Sequence, residues 1–276
     1  MIIWLASYPK SGNTWLRLFL NTLLYNQENL DINNIKINQF PQKYHFEGIV
    51  EDINSFKEVT ENYINAQSKI NFDNKIKFLK THSANWEAYG TTFTNNDNSL
   101  GAIHIVRDPR NVVSSILNHY SSKNYREALK FMCDKTKVIG DERDLKNKIK
   151  IVISSWGNHY NSWKKFKKNN ILVSYEKLLN EPNKEFFKIC TFLTKITNLN
   201  FEENQILQAI EKCNFKNLQN AEQIDGFIEA TADENGNKKK FFNLGPNNNW
   251  KKLLDKEIIL EIEKIFENEM RELNYI

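Results

Sequence analysis

Ile2-Ile3-Trp4-Leu5-Ala6-Ser7-Tyr8-Pro9-Lys10-Ser11-Gly12-Asn13-Thr14-Trp15-Leu16 opens the chain and decides how the rest is read. Residues 2–7 form a continuous apolar run ended by Tyr8-Pro9, the pattern of a strand buried on both faces. From Thr14 the residues Trp15, Leu16, Phe19, Leu20, Leu23 and Leu24 recur at helical spacing, with Asn13 or Ser11 available as the cap. The loop between strand and helix presents backbone N–H groups and the positive end of the helix dipole, which together suit an anion. Gly12 permits close backbone approach, Lys10 adds a point charge, and Ser11 and Thr14 add hydroxyl donors. This is not a Walker A loop, which carries two glycines and places its Lys after the second.

The same pattern recurs further along. Ile76 to Thr81 and Ala102 to Val106 read as buried strands, and the second leads into a helix carrying Val112, Val113, Ile116, Leu117 and Tyr120, with Pro109 in its first turn. Residues 151 to 166 place Val152, Trp156, Tyr160, Trp163 and Phe166 on one helical stripe before a short strand, Ile171 to Tyr175. Pro182 opens a helix with Phe186, Ile189, Cys190 and Leu193 inward. The final helix, from about Lys256, is predicted to bury Ile258, Ile259, Ile262, Ile265, Phe266 and Leu273. Strands alternating with helices predict an α/β fold, a single domain over residues 1–276 with a central parallel sheet flanked by helices. The stretches near 27–75, 84–100, 121–150 and 221–249 are less regular and long for connections, so they are expected to form the lids of a pocket.

Composition narrows the class. With 276 residues, 40% of them hydrophobic and 26% charged, the chain has enough apolar material for one sizeable core. A net charge of +4 with scattered lysines gives no nucleic-acid footprint and suits a small anionic ligand. Cys133, Cys190 and Cys213 are odd in number and lack metal-knuckle spacing, which points to reduced core cysteines and a cytoplasmic setting. No run reaches the roughly 20 apolar residues of a membrane span. The apolar start is followed, not preceded, by positive charges, unlike a signal peptide. The five histidines show no metal-ligand spacing.

Two further motifs carry chemistry. In Ile103-His104-Ile105-Val106-Arg107-Asp108-Pro109-Arg110-Asn111-Val112-Val113-Ser114-Ser115, Arg107 at a strand end and Ser115 two turns into the helix can meet one phosphate, since a guanidinium fork and a hydroxyl both suit its oxygens. Lys80-Thr81-His82 follows the other strand, where open parallel sheets bind ligands. A neutral imidazole, with a reference pKa of about 6.5, can accept a proton there.

The string Tyr8-Pro9-Lys10-Ser11-Gly12-Asn13-Thr14-Trp15 resembles the 5′-phosphosulfate loop of sulfotransferases that use 3′-phosphoadenosine 5′-phosphosulfate (PAPS), and the segment around Arg107 resembles their 3′-phosphate motif. The resemblance runs from Ile2 to the end of the chain and implies the nucleotide-kinase-like, P-loop-like sulfotransferase fold. It implies PAPS as co-substrate without a metal, because a sulfuryl group carries fewer negative charges than a phosphoryl group. His82 becomes the general base, Lys10 the partner of the bridging oxygen, and Lys80 with the loop amides the holder of the sulfuryl oxygens. The nucleotide falls to Lys10, Ser11, Gly12, Asn13, Thr14, Trp15, Arg107, Ser115, Tyr175, Phe215 and Gly245, with adenine between Trp15 and Phe215 and touched by Tyr175.

The segment Phe241 to Lys251 is similar to the family's loop over the 3′-phosphate but departs from it. Asn243-Leu244 stands where the family has Arg-Lys, and Asn248 where it has a second Gly. Lys238, Lys239 or Lys240 is the alternative source of the missing charge. The implied partner is a small-molecule acceptor with a hydroxyl or amine, and neither nucleic acid nor membrane. Phe40, Tyr44, Phe46, Trp86 and Tyr89 suggest an apolar component to its pocket. Competing readings are a magnesium-dependent nucleoside or nucleotide kinase and a non-catalytic nucleotide-binding module. The sequence sets no oligomeric state.

Overall fold

All six side chains of β1 (Ile2–Ser7) are buried, as a strand covered on both faces requires. The computed structural model describes residues 1–25, 30–140, 149–232 and 236–276. After β1 come α1 (Asn13–Tyr25), α2 (Phe56–Glu61), α3 (Tyr63–Ile70), β2 (Lys77–Thr81), β3 (Glu87–Ala88), β4 (Thr91–Thr92) and β5 (Ser99–Val106). Then follow α4 (Pro109–His119), α5 (Tyr125–Cys133), β6 (Val138–Ile139), β7 (Ile151–Val152), α6 (Trp156–Lys164) and β8 (Asn170–Ser174). The remainder is helical: α7 (Tyr175–Asn180), α8 (Pro182–Ile196), α9 (Glu203–Lys212), α10 (Phe215–Asp225), α11 (Trp250–Leu253), α12 (Lys256–Ile265) and α13 (Glu267–Glu272). These elements form two compact units, residues 1–9, 37–106 and 133–173 in one, and 10–36, 107–132 and 174–276 in the other.

The first unit holds the sheet, in the order β2-β1-β5-β8. β1 pairs in parallel with both neighbours, Ala6 lying opposite Thr81 on one side and His104 on the other. The carboxyl ends of β1 and β2 are therefore level, and Tyr8 and His82 leave the sheet at the same edge. The core is aromatic: Phe40, Phe93 and Trp163 surround Trp4 with ring centroids 5.6, 5.2 and 6.4 Å away. The indole N–H groups inside it are paired, Trp4 Nε1 donating to Ser99 Oγ at 2.8 Å and Trp163 Nε1 to the Ser83 carbonyl at 2.9 Å. Buried tryptophans carry this polar handle into a core only when it finds a partner. Phe40 and Phe46 belong to this core, whereas Tyr44 and Tyr89 are exposed.

The second unit is helical. α1 packs on α9, and α8 packs on both α7 and α9. Phe19 and Phe186 stack at 4.0 Å, and Thr22 Oγ1 meets Cys213 Sγ at 3.5 Å. Burial pushes the Cys213 thiol up to about 11 and the Cys190 thiol to about 12, so both are inert core residues. α4 packs against α11 and α12. Asp108 caps α4 by accepting from the Arg110 N–H, and the buried Arg110 guanidinium reaches Asp108, Glu263 and the Tyr275 carbonyl. Burial opposes the Arg110 charge, but its bonds to Asp108 and Glu263 outweigh that and raise its pKa.

Several expectations need correction. Val152 does not share a helix with Trp156: Ile151–Val152 is a strand paired antiparallel with Val138–Ile139. The helix starts only at Trp156, where Ser155 Oγ accepts from the Asn158 N–H. The stretch 27–75 contains two helices, α2 and α3, and 121–150 contains α5. The parts of the expected lids at 27–29, 141–148 and 233–235 lie outside the described residues. The last helix breaks at Phe266, and Ile265 is 45% exposed rather than buried. Tyr175 is the first residue of α7 rather than the last of a strand. No helix among the described residues is long and apolar enough to cross a membrane.

Two outcomes follow from the first unit. Trp4→Ala removes the centre of the aromatic core and is expected to destabilise by about 3–5 kcal/mol in urea unfolding. Burial lowers the imidazole pKa of His45 to about 4, of His159 to about 3, and of His104 well below 6.5. These rings stay neutral when folded and gain protons on unfolding, so stability is full above about 6.5 and declines as pH falls toward 3. His159→Gln removes one such proton, and the acid limb of a urea-midpoint titration should become shallower by about 1.4 kcal/mol per pH unit.

Candidate active site

The second unit contains the loop before α1, and its geometry is set by one aromatic ring. Lys10 and Gly12 have φ of 66° and 102°, which curl the chain between Pro9 and the start of α1. A Cβ on Gly12 would stand 2.5 Å from Tyr175 Cδ2, so only glycine allows the loop to lie against that ring. Tyr175 is held in place at the start of α7, where Ser174 Oγ accepts from the Lys177 N–H. The Arg107 guanidinium lies 4.1 Å from the Tyr175 ring centroid, and Trp15 meets the same ring edge-on at 6.0 Å.

Arg107 is the second organiser. Its Nη1 donates to the Lys10 carbonyl at 3.0 Å and to Ser115 Oγ at 3.3 Å, tying the loop to α4. The following residue is also fixed, because the Asp108 N–H donates to Glu176 Oε1 at 2.9 Å and Tyr275 Oη donates to Glu176 Oε2 at 3.1 Å. Yet Arg107 Nε and Ser11 Oγ are buried without a hydrogen-bond partner among the described residues. A buried donor left unsatisfied costs about 1–3 kcal/mol, which an anion accepting from it would recover. These donors, the loop curl and the α1 N-terminus fit phosphate oxygens.

The remaining predicted groups of this unit divide. Thr14 Oγ1 lies 3.3 Å from Glu229 Oε2, and the same carboxylate pairs with Arg17 at 2.7 Å. The Lys10 ammonium rests 4.0 Å above the Phe241 ring. Asn13 is the buried first residue of α1. Phe215 opens α10 and presses on Gly245, where a Cβ would stand 2.2 Å from its Cζ. Of the three candidate lysines, Lys239 donates its Nζ to the Asn118 carbonyl and Ser121 Oγ, both at 2.9 Å, at the end of α4. A cation there satisfies the helix C-terminus, and Lys239 is spent on that task.

The first unit supplies His82 and Lys80. His82 Nδ1 is 2.8 Å from the Ser7 carbonyl and 3.2 Å from Ser7 Oγ. A carbonyl only accepts, so the neutral ring carries its proton on Nδ1 and presents the lone pair on Nε2. Lys80 is 6% exposed, and its backbone is locked twice, opposite Leu5 in the sheet and by bonds to Asn38 and Phe40. Among the described residues no group of three or more His, Cys, Asp or Glu could hold a metal ion.

Thus Gly12, Trp15 and Arg107 meet around the Tyr175 ring, Lys10 and Ser115 join Arg107, Phe215 joins Gly245, and His82 is oriented by Ser7. Sequence reading missed Ser7, Glu176, Phe241 and Glu229, each of which is an ordinary residue until its partner is known. Asn248 carried a signal, because it stands where the resemblance expected glycine, and its Nδ2 lies 3.1 Å from Ser115 Oγ.

A family model described as "Sulfotransferase domain" matches residues 2–274. Luciferin sulfotransferase of Photinus pyralis is 25% identical over 290 residues, covering 94% of this chain and 69% of that protein. Sulfotransferase 2A1 of Macaca fascicularis is 23% identical over 180 residues, covering 62% of this chain and 56% of its own length. Mouse sulfotransferase SULT7A1 complexed with PAP superposes with a TM-score of 0.60 at 19% identity, covering 98% of this chain and 84% of that one. Retinol dehydratase in complex with androsterone and inactive cofactor PAP also gives 0.60, at 16% identity, covering 98% and 80%.

Gly12→Ala should lower stability by about 1–3 kcal/mol through overpacking against Tyr175, over and above backbone strain. Gly48→Ala serves as the control, because Gly48 has φ of 71° and its Cβ would meet nothing within 4 Å. Thermal unfolding of both variants reads the contact by difference.

Proposed function

The chain belongs to the sulfotransferase family, and from that premise we propose that it transfers a sulfuryl group from PAPS to a hydroxyl or amine of a small-molecule acceptor. The observation that carries this is a pair of buried donors, Arg107 Nε and Ser11 Oγ, that have no hydrogen-bond partner among the described residues. Structural neighbours in complex with PAP support the same co-substrate. The reaction forms a bond between the acceptor atom and sulfur and breaks the bond from sulfur to the nucleotide phosphate. Its products are the sulfated acceptor, 3′,5′-ADP and a proton.

In this reading His82 takes the acceptor's proton on Nε2 while its Nδ1–H stays on the Ser7 carbonyl. Lys10 neutralises charge gathering on the departing oxygen once it leaves the Phe241 ring, and Lys80 with the loop amides holds the sulfuryl oxygens. Ser11, Gly12, Asn13 and Thr14 receive the 5′-phosphate, and Arg107 and Ser115 the 3′-phosphate. Trp15, Tyr175 and Phe215 take the adenine, each stacked base contact being worth about 1–3 kcal/mol, with Gly245 turning the chain beneath Phe215. No metal takes part. The whole chain acts as one domain, and three free cysteines suit a reducing cytoplasm. The acceptor carries an apolar body, in keeping with a neighbour complexed with androsterone.

Calorimetry should show 3′,5′-ADP binding more tightly than 5′-AMP or ATP, with no magnesium requirement. His82→Ala should lower turnover by about 10²–10⁴ with 3′,5′-ADP affinity unchanged, and Lys10→Ala should lower both. Turnover that survives both substitutions overturns the assignment.

A further inference from the structure

Asn248 is 92% buried as judged from its 8% exposure, with φ of −72°, so the backbone at this position has no need of glycine. Its Nδ2 donates to the Asn111 carbonyl at 2.9 Å and to Ser115 Oγ at 3.1 Å. The carbonyl fixes the amide's orientation, since a flipped amide would set oxygen against oxygen there. Ser115 Oγ thus faces two N–H donors, Arg107 Nη1 at 3.3 Å and Asn248 Nδ2 at 3.1 Å. A hydroxyl has two lone pairs and one proton. With both lone pairs engaged, only the proton remains to be directed. Within the protein that proton goes to the Asn111 carbonyl, which also accepts from Asn248, but the bond is long at 3.4 Å and a phosphate oxygen is the stronger acceptor.

We propose that Asn248 is a positioning residue of the nucleotide site: it occupies the second lone pair of Ser115 and thereby turns that hydroxyl into a donor aimed at the 3′-phosphate. In doing so it compensates in part for the Arg-Lys pair that this chain replaces with Asn243-Leu244. A glycine at position 248 would leave one lone pair of Ser115 open, so that the hydroxyl could accept as well as donate. The inference rests on the PAPS reading and deepens it.

The test is calorimetry of 3′,5′-ADP and 5′-AMP on the full chain, the readout being the ratio of the two affinities. Asn248→Ala should lower that ratio by about tenfold, the loss of roughly one hydrogen bond, with 5′-AMP affinity unchanged. Asn248→Gly should do the same and serves if the alanine variant fails to fold. In a Ser115→Ala background, Asn248→Ala should have no further effect, because its target is gone. An unchanged ratio, an equal loss for both nucleotides, or a full second loss in the Ser115→Ala background overturns the assignment. A wild-type chain with no preference for 3′,5′-ADP overturns the PAPS reading with it; a wild-type preference that Asn248→Ala leaves undiminished overturns this assignment alone.

Discussion

The Tyr175 ring is the constraint on which the loop before α1 and the Arg107 side chain both depend. Gly12 can approach it because glycine has no Cβ, and Arg107 lies over it because a guanidinium cation and an aromatic face attract. Trp15 meets it edge-on. One side chain thereby sets the distance between the anion loop and the Arg107 fork. The Ser174 cap and the Glu176 carboxylate hold the start of α7, so the ring is fixed from behind as well.

Two arginines three positions apart show how burial is used differently. Arg110 is saturated by Asp108, Glu263 and the Tyr275 carbonyl, and it lies over Trp250 at 3.9 Å. Its charge is balanced within the protein and it serves as a structural tie between α4 and the chain's C-terminal residues. Arg107 spends one nitrogen on Lys10 and Ser115, and its buried Nε has no hydrogen-bond partner among the described residues. A buried cation with spare donors is costly for folding alone, which is the physical mark of a ligand-binding residue.

His82 shows the same logic with protons. The Ser7 carbonyl chooses its tautomer, so a single backbone hydrogen bond decides which nitrogen is basic. His104 and His159, also in the first unit, are wholly buried and kept neutral by desolvation. They contribute to acid sensitivity rather than to chemistry.

Much of this was legible in the sequence. Six consecutive apolar residues, a Gly-containing turn and a helical stripe predicted β1, the anion loop and α1, because those patterns are local. The string around Gly12 and the Arg-Asp-Pro segment marked residues that the structure brings to the Tyr175 ring. Val152 misled, since its spacing matched a helix while pairing with Val138 claimed it for a strand, and pairing is a long-range event. Ile265 misled as well: it ends α12 half-exposed, while the next residue, Phe266, is buried at the break. The chain alone thus determined β1, the loop and α1, the alternation of the main strands and helices, and the chemical character of the loop residues. Tertiary structure decided which lone pair His82 offers, which lysine is spent on a helix end, and that Asn248 reaches Ser115, because each depends on a partner distant in sequence.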